Sequence, residues 1–75
     1  MTPRRTVKHF SEPNGEFYAI RDYAPDPIAG ALFAAKMLEE ECPEDWHPWA
    51  CKVQKARSGR RASVEVVFKQ NRLAI

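Results

Sequence analysis

The chain has 75 residues, of which 44% are hydrophobic and 29% charged. This length allows one small domain and excludes folds with a large core, such as a dinucleotide-binding sheet or an eight-stranded α/β barrel. Eight aromatic residues are too many for a disordered chain of low hydrophobicity. The formal net charge is only +2. We expect residues 1–75 to form a single α+β domain, with residues 1–5 flexible.

Two strands are predicted in the first third of the chain. Segments 6–10 and 17–23 are rich in aromatic and β-branched residues, which suit a pleated surface. Between these segments, Asn14-Gly15 is a strong hairpin signal, because both residues tolerate positive φ. The chain is therefore predicted to begin with a β-hairpin.

A helix is predicted over residues 27–42. Asp26 is a suitable N-cap and Pro27 a suitable first helical residue, whereas Pro43 cannot continue the helix. A turn or loop over residues 44–48 is expected to follow.

Two further strands are predicted at residues 49–55 and 62–69, which gives the order β-β-α-β-β. One antiparallel sheet with a single helix packed on one face is the simplest arrangement of these elements. Alternation assigns one set of side chains to the core: Trp49, Cys51, Val53, Ala62, Val64, Val66 and Phe68. The outer face of these strands then carries Lys52, Gln54, Ser63, Glu65 and Lys69, with no aromatic side chain.

The predicted helix has two apolar faces. Helical periodicity assigns one stripe to the core: Ile28, Ala31, Leu32, Ala35, Leu38 and Cys42. Phe33 and Met37 then lie nearly opposite, beside Gly30, and are expected to face water or the loop around Trp46. An aromatic ring and a flexible thioether on an outer face favour binding to a partner, including a second copy of the chain.

Charge is distributed unevenly along the chain. Residues 12–45 contain nine acids and two bases, whereas residues 46–75 contain seven bases and one acid. Acids at a helix C-terminus oppose the helix dipole, so either the basic segment or a partner should offset them. The predicted surface for binding a larger protein or complex is Phe33, Met37, Glu40, Glu41, Glu44, Asp45 and Trp46.

The basic segment supports an alternative function. Lys55, Arg57, Arg60 and Arg61 lie near the connection between the last two strands, where they could contact phosphates. The absence of aromatic side chains on the outer face and the acidic helix disfavour this nucleic-acid-binding function. A third alternative is a small structural subunit of an oligomer.

Catalytic and metal sites are not predicted. The chain has no glycine-rich phosphate loop, no nucleophile elbow and no zinc-protease motif. The spacing of Cys42, His47 and Cys51 matches no standard zinc site. We therefore expect a noncatalytic protein without a metal or cofactor. Neither a signal peptide nor a membrane span is apparent, so a cytoplasmic location without a membrane partner is expected.

The arrangement of short elements resembles that of a known group of small proteins. An Asn14-Gly15 hairpin, a helix that starts at Asp26-Pro27 and is rich in alanine to Ala35, and a closing hairpin resemble small phage-encoded inhibitors such as anti-CRISPR proteins. The resemblance covers the whole chain and matches no family motif. It implies a noncatalytic protein that binds a larger host complex through acidic or aromatic surfaces.

Overall fold

A computed structural model describes residues 5–57 and 59–71 of the chain, and it confirms the order β-β-α-β-β. The elements are β1 (Thr6–Glu12), β2 (Gly15–Ala24), α1 (Pro27–Glu40), β3 (Trp46–Lys55) and β4 (Ala62–Gln70). The strands form one antiparallel sheet in the order β1-β2-β4-β3, and α1 packs across β2, β4 and β3. Strands β1 and β3 are therefore the two edges of the sheet.

The first hairpin turns at Pro13 and Asn14, one residue earlier than predicted, because Glu12 pairs with Gly15. Proline at the first of the two turn positions and glycine directly after the turn suit this geometry. Gly15 has a φ of +146°, and a Cβ at this position would lie 2.8 Å from Lys69 Cε. The backbone conformation therefore favours glycine, whereas Lys69 Cε lies near the end of a flexible side chain that can move aside.

The helix begins as predicted and ends two residues earlier. The Asp26 carboxylate accepts a hydrogen bond from the Ala29 N–H at 2.8 Å, which satisfies a free donor of the first turn. At the other end, Glu41 is the C-cap residue, and its N–H donates to the Met37 carbonyl.

The helix buries the opposite face to the predicted one. Met37 is 1% exposed, and Gly30 and Ala34 are also buried. In contrast, Ile28 is 78% and Leu32 71% exposed. The predicted core stripe is therefore wrong for Ile28 and Leu32, and also for Ala31 and Ala35, which are exposed. Its last two members, Leu38 and Cys42, do pack against the core.

Close packing at Gly30 explains this orientation. A Cβ on Gly30 would lie 2.9 Å from Val53 Cγ1 and 3.4 Å from Val64 Cγ2, so a larger residue would push the helix away from the sheet. With the backbone close to the sheet at this point, Phe33 and Met37 reach the core. The fully buried large side chains are Phe68, Ile20, Met37, Val64 and Val66.

Strand β3 begins earlier than predicted. The residues of the expected loop at 46–48 already pair with β4, in a register that starts with Trp46 opposite Gln70. The chain turns into this strand at Asp45, which has a φ of +69°. Aspartate is one of the few residues besides glycine that adopt this conformation at low cost. Within the described residues, no helix is long and apolar enough to cross a membrane.

Candidate nucleic-acid interface

The face of the sheet opposite α1, here called the open face, carries aromatic and basic side chains. Successive residues of a strand point to opposite faces, so the pairing register determines which side chains share a face. The charged and aromatic side chains of the open face are Lys8, Phe10, Glu12, Phe17, Arg21, Tyr23, His47, Trp49, Lys52, Glu65 and Lys69.

Three of these rings form a row across the sheet, here called the aromatic row: Phe10, Phe17 and Trp49. Phe10 stacks on Phe17 with ring centroids 5.2 Å apart and an interplanar angle of 11°. Phe17 meets Trp49 edge to face at 5.8 Å. Phe17 is only 4% exposed, whereas Trp49 is 51% exposed. The row therefore has a buried centre and an accessible indole ring.

A β-bulge places Trp49 on the open face. The register between β3 and β4 shifts between Pro48 and Ala50, which leaves Trp49 without a direct partner. Pro48 has no N–H to donate, so an interruption of the ladder is favourable at this position of an edge strand. The prediction that Trp49 shares the core face with Cys51 and Val53 is therefore wrong.

Two lysines lie over the aromatic row. Lys69 Nζ is 4.5 Å from the Trp49 ring centroid and 5.9 Å from that of Phe17. Lys8 Nζ is 5.4 Å from the Phe10 centroid. These distances lie within the range of cation–π contacts. Each ammonium group is thus held beside a ring, where a base and its phosphate could be bound together.

A basic depression of about 450 Å³ lies at the other end of the open face. Its wall includes Tyr23 and Arg21 of β2 together with Lys55, Arg57 and Arg61. Three of the four predicted nucleic-acid-binding residues therefore line one concave surface. The fourth, Arg60, is exposed and does not line the depression. No described acidic residue lines it.

The acids of the open face are largely neutralised. Arg21 donates a hydrogen bond to Glu65 at 3.1 Å, and Lys52 is directly opposite Glu65 in the register. Glu12 lies at the end of β1, at the far edge of the sheet. The open face thus presents a mainly basic surface between the aromatic row and the depression.

The acidic end of α1 lies on the other side of the sheet. Arg5 forms ion pairs with Glu41 at 2.9 Å and with Asp22 at 3.0 Å. The hydrogen bond to Glu41 raises the pKa of the Arg5 guanidinium most, and the hydrogen bond to Asp22 raises it further. Among the described residues, the base that reaches the helix end is therefore Arg5, and no described base of the predicted basic segment pairs with it. The predicted flexible segment 1–5 otherwise lies outside the described residues.

The predicted protein-binding residues separate into two groups. Met37 is buried, and Phe33 and Trp46 are half-buried. Trp46 lies across the core edge, with ring centroids 6.0 Å from Tyr18 and 6.3 Å from His9. These three side chains are thus part of the packing of the domain. The expectation that Met37 faces water is wrong, whereas a partner-binding role of Phe33 and Trp46 stays a prediction. The four acids Glu40, Glu41, Glu44 and Asp45 are exposed.

The residues of the rejected zinc pattern point to separate partners. The Cys42 thiol donates to the Trp46 carbonyl at 3.3 Å, and His47 Nδ1 hydrogen-bonds Asn71 Oδ1 at 2.7 Å. Cys51 is exposed, and both cysteines are free thiols. In the described parts of the chain, no three His, Cys, Asp or Glu side chains come together as a metal site.

Sequence reasoning missed the contribution of β1 and β2 to this face. Pairs across the first hairpin can be counted outward from its turn, and this count places Phe10 opposite Phe17. Lys8, Arg21 and Tyr23 follow on the same face by alternation. The predicted turn at Asn14-Gly15 also places Phe10 and Phe17 on one face, but only the observed turn at Pro13 and Asn14 places them directly opposite each other.

The domain is a two-layer α+β domain, in which one helix covers one face of an open antiparallel sheet. Its open face carries aromatic and basic side chains. No family model matches the chain, and neither a curated protein nor a solved structure shows significant similarity to it. The resemblance to small phage inhibitors therefore stays a prediction. Function must be inferred from the surfaces of the domain itself.

Proposed function

We propose that this protein is a noncatalytic, cytoplasmic module that binds single-stranded nucleic acid on its open face. The observation that carries the proposal is the aromatic row, with Lys8 and Lys69 in cation–π contact and Trp49 half exposed. Exposed rings beside cations provide both partners that a single strand offers, a base to stack and a phosphate to bind.

A single strand fits this surface better than a duplex. The rings lie on a sheet, and only an unpaired base exposes its face for stacking on such a ring. From Phe17 to Tyr23, β2 spans about 20 Å at 3.3–3.4 Å per residue. A bound strand could therefore stack a base at Trp49 while its phosphates reach Arg57 and Arg61 at the depression.

The structure also removes two arguments against nucleic-acid binding. The sequence predicts an outer face of the last two strands without aromatic residues, whereas the open face carries Phe10, Phe17, Tyr23 and Trp49. The sequence also predicts that the acidic helix repels a nucleic acid. Because Glu39 and Glu40 belong to α1, on the other layer, the sheet separates them from the proposed site.

Replacing Trp49 with alanine should weaken binding about tenfold, since stacking of one base on one ring contributes about 1–3 kcal/mol. The measurement is fluorescence anisotropy with a labelled single strand of about 12 nucleotides, within the known range of site sizes. The same sequence as a duplex should bind more weakly than the single strand.

Leu32→Ala is the matched control, because Leu32 is an exposed apolar residue on the other side of the domain. Its affinity should equal that of the wild type. Wild-type protein that does not bind the single strand would refute the proposal. Equal losses in the two variants, or equal affinity for single strand and duplex, would argue against stacking at Trp49.

A second function, docking on a larger protein, is favoured by the outer side of α1. Ile28 and Leu32 are strongly exposed one turn apart, and Glu39 follows on the same stripe. An apolar stripe that ends in an acidic residue suits a partner protein whose surface has an apolar groove with a basic rim. The residues differ from the predicted Phe33 and Met37, but the mode is the one that the resemblance to phage inhibitors implies.

Protein capture from a nuclease-treated bacterial lysate tests this second function. A specific partner should be retained by the wild type and lost with both Ile28→Ser/Leu32→Ser and Glu39→Lys/Glu40→Lys. Trp49→Ala should retain it, because Trp49 lies on the open face. If every captured protein is also retained by the two double variants, docking through this helix face is wrong.

A further inference from the structure

In the part of the chain that the structure describes, no strand or helix covers the outer edge of strand β1. Its seven residues, Thr6–Glu12, pair only with β2, so the backbone groups on the outer side of β1 have no strand partner among the described residues. Helix α1 does not contact β1, and neither a proline nor a bulge interrupts it. An edge of this kind is suited to pairing with another strand.

We infer that β1 pairs with β1 of a second copy, antiparallel and with Phe10 on the two-fold axis. In such a pair, residues directly opposite each other lie on the same face of the joined sheet. With Phe10 opposite its own equivalent, Lys8 of each copy lies opposite Glu12 of the other. The single base and the single acid in the strand thus complement each other twice.

Other registers lack this complementarity. The two-fold axis restricts the pairing to registers that place one residue opposite itself. If that residue were Lys8, two ammonium groups would face each other, which is unfavourable. If it were His9, Lys8 would lie opposite Phe10 and Glu12 opposite Thr6, which leaves both charges without an opposite charge. Charge complementarity therefore selects the register centred on Phe10.

This pairing would extend the aromatic row. Phe10 is the end of the row at the β1 edge, where it stacks on Phe17. In the dimer the two Phe10 rings are cross-strand neighbours, so the rows of both copies meet at the axis. Both helices then lie on the same side and both open faces on the other. The dimer forms without nucleic acid, so this inference does not rest on the proposed function.

The dimer should be weak. In this register only Lys8 to Glu12, five residues per copy, face each other, far fewer than the roughly 20–30 residues a side of a standard stable interface. Association should therefore depend on protein concentration, and the two Lys8–Glu12 pairs should have a measurable share in it. Both side chains are exposed in the protomer, so their substitution should leave the fold intact.

Sedimentation velocity over a series of protein concentrations, without nucleic acid, tests the inference by charge exchange. Lys8→Glu and Glu12→Lys should each raise the dimer dissociation constant at least about tenfold, because each creates two like-charge pairs. Lys8→Glu/Glu12→Lys should restore dimerisation close to the wild-type level. Circular dichroism of each variant checks that the fold is retained.

Three results would overturn the inference. The wild type could remain monomeric at the highest concentration, the single variants could associate as the wild type does, or the double variant could fail to regain association. The last result would show that the charges act on something other than this register. None of these results bears on the binding of single strands to the open face, which anisotropy measures separately.

Discussion

Replacing Met37 with alanine should lower the free energy of unfolding by about 2–5 kcal/mol, the range for large buried side chains. Met37 is 1% exposed and belongs to the core cluster with Ile20, Val64 and Phe68. Truncation of Met37 leaves a cavity between the helix and the sheet, because the backbone hydrogen bonds between the strands prevent the sheet from moving in to fill it. Denaturant unfolding followed by circular dichroism measures the loss.

Leu32→Ala provides the comparison within the same helix. Leu32 is 71% exposed, so its truncation should change the free energy of unfolding by less than about 0.5 kcal/mol. Both substitutions introduce alanine into a helix interior, and helix propensity therefore contributes little to their difference. The opposite order of the two losses would mean that α1 presents the face originally predicted from periodicity.

The second large effect concerns the basic depression. Arg57→Glu/Arg61→Glu should reduce the affinity for a single strand about 100-fold at low salt, since a hydrogen bond to a charged group contributes about 1.5–3 kcal/mol. Both residues line the depression. Loss of two phosphate contacts should also make the dependence of log K on log salt concentration shallower by about 1.4. Anisotropy titrations at several salt concentrations give both quantities.

Lys36→Glu is the control for charge alone. Lys36 is exposed on α1, on the other layer of the domain. Charges separated by more than a Debye length of about 8–10 Å are largely screened, so this reversal should change the affinity less than about threefold. A similar loss per charge in both variants would indicate attraction by overall charge and would contradict a site at the depression.

The elements of the fold could be predicted because strong local signals define them. Asp26 and Pro27 fix the helix start by capping and by a preset φ, and the structure shows this cap. Alternation in β4 likewise identifies Val64, Val66 and Phe68 as core residues, and all three are buried. These signals come from residues that are close together in the sequence, so one sequence is enough to recognise them.

The orientation of the elements depends on contacts between distant residues and could not be read in this way. Both sides of α1 are apolar, so periodicity alone could not choose between Leu32 and Met37. The choice follows from the space that Gly30 leaves above Val53, a contact across 23 residues. The bulge similarly moves the Trp49 side chain from the predicted core face to the open face. The open face thereby gains an exposed aromatic ring.

The two edges of the sheet differ in a way that limits the size of any assembly. Strand β3 carries Pro48, a bulge, and the exposed side chains Lys52 and Lys55, all of which hinder the addition of another strand. Of the two edges in the described part of the chain, β1 is therefore the one at which another strand can be added. A contact between two identical edges uses up both, so the assembly closes and does not propagate as a fibre. The proline, the bulge and the lysines of β3 thus protect the sheet from aggregation, although its β1 edge can pair with another strand.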